Sequence, residues 1–188
     1  WSRGLGDVYK RQLQGHADML KTPGVDMSVG SLGQGFSAGI GMALSGKLRK
    51  KDYHVWVIVG DGESQEGSIW EAAMSGARWQ LDNITVVVDK NGLQNDTFVD
   101  EIMPVDPLPD KWRAFGWNVI EIDGNDMAQV VEALEKAKTV KGIPTVIIAH
   151  TVKGKGVSFM ENVPKWHGAA PCDEEAIIAL DEIRGGAA

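Results

Sequence analysis

Val55–Trp56–Val57–Ile58–Val59–Gly60–Asp61–Gly62 and Ile84–Thr85–Val86–Val87–Val88–Asp89–Lys90–Asn91–Gly92 decide how this chain folds. Each is an apolar run of strand formers that leads into an oxygen-bearing residue followed by glycine. Between them, Gly67 to Gln80 carries Ile69, Ala72, Ala73 and Ala77 at helical spacing. Strand, helix and strand in that order predict two parallel strands, with Asp61 and Asn91 together at the carboxyl edge of one sheet. Open α/β sheets bind ligands at that edge. The Asp61 carboxylate and the Asn91 amide oxygen, 30 residues apart, are hard donors suited to Mg²⁺ or Ca²⁺.

Outward from this unit the alternation continues. Leu32 to Arg49 is rich in small and apolar residues, from Gly35 to Leu44, and reads as a tightly packed helix. Glycines weaken a helix intrinsically but allow a backbone to approach its neighbour closely. Asn118–Ile122 and Thr145–Ala149 read as further strands, the second continuously apolar as a sheet interior requires. Asp126 is the expected N-cap of a helix through Ala137, with Val130, Val131, Leu134 and Ala137 on one face. Pro104, Pro107 and Pro109 mark a constrained loop before a short helix at Lys111–Phe115, and Glu174–Ile183 reads as a final amphipathic helix. The fold class that follows is α/β, a parallel sheet flanked by helices. Residues 1–12 change abruptly in composition at Leu13, which predicts a foreign leader and a domain running over 13–188.

The composition narrows the function. A net charge of −7 offers no basic surface for nucleic acid or an anionic membrane. No apolar run approaches the ~20 residues that cross a bilayer. Cys172 is the single cysteine, so no internal disulfide can form and a cytoplasmic location is expected. His54 and His150 stand in no motif and read as structural.

Several motifs together resemble transketolase. They are Gly15–His16, Pro23–Gly24–Val25, Gly30–Ser31–Leu32–Gly33–Gln34–Gly35, Gly60–Asp61–Gly62–Glu63, Gln65–Glu66–Gly67 and Trp70–Glu71–Ala72. Lys111–Trp112–Arg113–Ala114–Phe115–Gly116–Trp117 and Trp166–His167–Gly168 extend the match over most of the chain. The Gly60–Gly62 and Asn91 pair is similar to the thiamine diphosphate motif of that family. The resemblance implies a thiamine diphosphate-binding domain in which a divalent metal, Mg²⁺ or Ca²⁺, clamps the diphosphate. Asp61, Asn91 and the backbone carbonyl of Leu93 would be its ligands, and Gly60, Gly62 and Glu63 would border the diphosphate.

The same resemblance gives Gly30 and Leu32 contacts to the cofactor's aminopyrimidine and gives His16 and His167 places beside the substrate, His167 near the diphosphate as well. Glu66 matches a glutamate at the dimer contact, although a carboxylate at a helix start is an equally good reading. Lys153 reads as a solvated loop lysine. Transketolases move a two-carbon ketol unit between sugar phosphates and need a glutamate from a pyrimidine-binding domain, which no residue here matches. The chain therefore resembles the diphosphate-binding subunit of a split transketolase, active with a C-terminal partner in a heterotetramer. Alternatives are 1-deoxyxylulose-5-phosphate synthase, a 2-oxo-acid dehydrogenase component or a non-catalytic interaction subunit.

Overall fold

In the computed structural model, which describes residues 16–185, Val55–Gly60 (β1), Ile84–Lys90 (β2), Asn118–Asp123 (β3) and Thr145–His150 (β4) form one parallel sheet. The strand order is β1-β2-β4-β3. Around it lie Gln34–Leu48 (α1), Gly67–Arg78 (α2), Val99–Ile102 (α3), Leu108–Ala114 (α4), Met127–Thr139 (α5) and Asp173–Ile183 (α6). The α/β architecture read from the sequence is the one observed. The expected change of composition at Leu13 lies outside the described residues.

Because side chains alternate along a strand, the two faces of the sheet build two cores. Val59, Val86, Val88, Val146 and Ile148 face α1, α2 and α4, where Phe36, Ile69, Trp112 and Trp117 are buried. Burying each such large side chain contributes roughly 1.5–3 kcal/mol. Ile147 faces the other way, with Val87, Ile120 and Ile122, and packs on Ala133 and Ala137 of α5. β4 lies between β2 and β3, so five of its six residues are buried, as its continuous apolar run predicts.

The glycines of α1 and α2 permit close packing. A Cβ at Gly39 would stand 2.7 Å from Val57 Cγ2, and one at Gly76 would stand 2.7 Å from Trp117 Cζ2. Trp117 is fixed there by its indole N–H, which donates to the Ala73 carbonyl at 2.9 Å. Asp126 caps α5 as expected, accepting from the N–H groups of Ala128 and Gln129. The buried stripe of that helix differs from the expected one. Ala133 and Ala137 touch the sheet, Leu134 packs beside them, and Val131 is exposed, because the small alanines let α5 lie close.

Candidate functional site

The β1–β2 register sets Gly60 opposite Asp89, so the chain leaves both strands at nearly the same level and brings Asp61 and Asn91 to one corner. Asp61 is 2% exposed. Its Oδ1 accepts from Gly62 N–H at 2.9 Å and its Oδ2 from Gly92 N–H at 2.7 Å. Gly92 makes this turn at φ +73°, a left-handed conformation that favours glycine. Burial pushes the Asp61 carboxyl above its ordinary pKa, the two backbone N–H groups pull it down, and the Asp89 charge pushes it further up. Among the described residues no basic side chain forms an ion pair with Asp61.

Asn91 is held at both ends of its amide. Nδ2 donates to Asp89 Oδ2 at 2.9 Å, and Oδ1 accepts from Leu93 N–H at 2.9 Å. The other oxygen of Asp89 accepts from the Thr151 hydroxyl. Leu93 is buried and bridges Phe98 across a tight loop, in which Gln94 N–H donates to the Thr97 carbonyl at 2.9 Å. The Asp61 carboxylate and the Asn91 amide oxygen are hard oxygen donors at this corner, which fits a divalent cation. Such an ion would also supply the positive charge that the buried Asp61 lacks. Among the described residues no three or more of His, Cys, Asp and Glu gather into a metal-holding group.

Gly62–Gln65 is a single 3-10 turn, α2 starts at Gly67, and the Gly62 N–H is already engaged by Asp61. Glu63, in that turn, uses both carboxylate oxygens on backbone. It accepts from Gly60 N–H at 3.1 Å and from Gly33 N–H at 2.8 Å. Glu63 thus pins the Gly30–Gly35 turn to the end of β1. Gly33, at φ +78°, has no room for a side chain, since a Cβ would lie 2.1 Å from Ser68 Oγ.

His16, Gly30, Leu32 and Glu63 line one cleft of about 1020 Å³ beside β1, together with His54 and Trp56. His16 packs on Gly30, where a Cβ would stand 2.9 Å from the ring Cδ2. Both His16 and Leu32 are exposed. His54 bonds to Thr85 Oγ1 at 2.8 Å, in keeping with its structural reading. Asp61 and Asn91 are not lining residues of the cleft; Glu63 joins the two regions.

His167 ends the 3-10 turn Pro164–His167 and is exposed. The turn is held by the Trp166 indole, which donates to the Phe159 carbonyl at 3.0 Å and meets the Phe159 ring edge-on at 5.5 Å. Partial desolvation, and after it the charge of Lys153, hold the His167 imidazole below its ordinary pKa. Glu66 occupies the N-cap position of α2, exposed and without a side-chain capping bond. Sequence reasoning missed Asp89 and Thr151. The signal for Asp89 is a carboxylate two residues before Asn91; Thr151 becomes visible only through the register that sets Asp89 beside Ala149.

Comparison with known proteins follows the same lines. Residues 8–185 match the family described as transketolase, thiamine diphosphate binding domain. An apulose-4-phosphate transketolase subunit of Phocaeicola vulgatus is 41% identical over 91% of this chain and 60% of its own length. The 6-deoxy-6-sulfo-D-fructose transketolase subunit SqwG of a Clostridium species is 46% identical over 91% of this chain and 62% of its own. The chain thus spans about three-fifths of these curated relatives. Among solved structures, transketolase from Campylobacter jejuni superposes with a TM-score of 0.82 at 30% identity, over 92% of this chain and 29% of that one. Among the described residues no helix is long and apolar enough to cross a membrane.

Proposed function

Because the chain belongs to the transketolase family of thiamine diphosphate-binding domains, we propose that it holds the diphosphate of that cofactor through a divalent cation and forms half of a transketolase active site. The observation that carries this reading is the buried Asp61 carboxylate, one strand away from Asn91 and without a basic partner among the described residues. Asp61, Asn91 and the Leu93 carbonyl would hold Mg²⁺ or Ca²⁺, which would screen the charge of the diphosphate. Gly60 and Gly62 keep the chain low at the strand end so the diphosphate can approach. Glu63 acts by holding the Gly30–Gly35 turn, where Gly30 and Leu32 border the aminopyrimidine.

Thiamine diphosphate, when bound, supplies the carbanion chemistry that breaks and makes the carbon–carbon bond. The protein's share is binding and proton handling. His16 and His167 hydrogen-bond the hydroxyl groups of a sugar phosphate, and a neutral imidazole at His167 can accept a proton from one and return it. Glu66, exposed at the start of α2, faces a partner chain. The missing acid of the aminopyrimidine side comes from a C-terminal transketolase subunit, in a cytoplasmic heterotetramer. The relatives named as transketolase subunits favour ketol transfer over the deoxyxylulose phosphate synthase and 2-oxo-acid dehydrogenase alternatives.

The test is reconstitution. This chain is mixed with a pyrimidine-binding transketolase subunit, thiamine diphosphate and Mg²⁺, and ketol transfer from a ketose phosphate to an aldose phosphate is followed. Turnover by the mixture and none by either component supports the reading. Decarboxylation of a 2-oxo acid in place of transfer, or turnover by this chain alone, contradicts it.

A further inference from the structure

We infer that Asp89 is a positioning residue that fixes the Asn91 amide and ties it, through Thr151, to the chain as it leaves β4. The inference rests on the reading of Asp61 and Asn91 as cation ligands. An asparagine amide has two nearly isosteric ends, of which only the oxygen can bind a cation. Here Asp89 Oδ2 claims the Nδ2 end at 2.9 Å and Leu93 N–H claims the oxygen end at 2.9 Å. Turning the amide over would set its oxygen against a carboxylate and its NH₂ against an N–H. Both contacts are repulsive, so one orientation survives.

Asp89 is itself held. It stands one residue before the end of β2, paired with Ala149, and its second oxygen accepts from the Thr151 hydroxyl. Thr151 is the first residue beyond β4, and its N–H donates to the Lys90 carbonyl at 3.2 Å. From Thr151 the chain runs to the Pro164–His167 turn. Asn91, Asp89 and Thr151 therefore join the exits of β2 and β4 by side chains, at the last rungs of the ladder. Asp89 needs no direct contact with a cation to matter: its two bonds select which Asn91 atom is offered, as partners of metal ligands commonly do.

Two substitutions separate this role from a ligand's or a bystander's. Asp89→Ala removes both bonds. Asp89→Asn keeps an oxygen for Asn91 and an NH₂ that can donate to Thr151 once that hydroxyl turns, while losing the charge. The whole chain is titrated with thiamine diphosphate and Mg²⁺, and the Asn91 side-chain amide resonances are read without metal. Asp89→Ala is expected to weaken Mg²⁺-dependent binding by about 10- to 100-fold and to move the Asn91 resonances. Asp89→Asn is expected to keep most of the affinity, and Thr151→Val to move the same resonances less than Asp89→Ala does.

Asp89→Asn losing as much as Asp89→Ala would overturn the positioning role in favour of a charge or ligand role. Wild-type affinity with unmoved resonances in Asp89→Ala would overturn it altogether. If the wild type bound no cofactor, the cation reading would fall, while the resonance series would still decide whether Asp89 and Thr151 hold Asn91.

Discussion

The corner at Asp61 and Asn91 and the two segments bearing His16 and His167 are built by different means. The corner grows out of paired strands: Gly60 faces Asp89 in the ladder, and each polar side chain in it is met by a backbone N–H or by another side chain. The histidines stand exposed on irregular segments, His16 against Gly30 and His167 on a turn kept in shape by one tryptophan. The corner is held by a network of hydrogen bonds and buries the Asp61 carboxylate. The histidine side chains are exposed to solvent. This division suits a site in which the cofactor's charged end needs fixed donors and the sugar must enter and leave.

The largest expected effect is at the corner. Asp61→Ala removes the proposed cation ligand and the carboxylate that the Gly62 and Gly92 N–H groups address, so Mg²⁺-dependent affinity for thiamine diphosphate should fall by more than about 100-fold, measured by calorimetry. A loss below about tenfold would mean that Asp61 is not a ligand. Next comes Glu63→Ala, which leaves the Gly33 and Gly60 N–H groups without their acceptor. It should cost about 1–3 kcal/mol in denaturant unfolding, since part-buried donors lose their bonds. An unchanged midpoint would show that the Gly30–Gly35 turn holds itself.

Smaller effects on stability are expected on the histidine side. His16→Asn and His167→Asn should leave folding stability within about 0.5 kcal/mol of wild type, as exposed positions do, while ketol transfer by the reconstituted enzyme falls by about 10²–10⁴-fold. A large stability loss would erase the contrast between the two regions. The mildest test is the titration of His167 by NMR. Its pKa is lowered first by desolvation and second by Lys153, so it should titrate below the ordinary 6.5. Lys153→Gln should move it only part of the way back up. In linkage terms, a histidine that resists protonation when folded costs the fold stability as pH falls through 6.5 and below, and nothing well above it.

The same contrast explains what could be read from the sequence. Runs such as Ile84–Val88 and Thr145–Ala149 announce strands by composition, and the corner follows because a βαβ unit has essentially one way to bring Asp61 beside Asn91. Side chains that act across non-consecutive strands are not legible in this way. Asp89 and Thr151 meet only because β4 inserts between β2 and β3, which no local pattern announces. The position of Glu63 in the motif marks it as a neighbour of the site, yet its bonds to Gly33 and Gly60 depend on how a turn 30 residues earlier folds back. Hydrophobicity alone assigns Val131 to the core, whereas the close approach of α5 is set by Ala133 and Ala137.

The central claim, a diphosphate corner that works through a divalent cation, is tested most directly by titrating thiamine diphosphate into the whole chain with Mg²⁺ and again with EDTA. The predicted result is saturable binding that requires Mg²⁺ and disappears in Asp61→Ala and in Asn91→Ala. Binding of equal strength in EDTA, or retained in both variants, would contradict it.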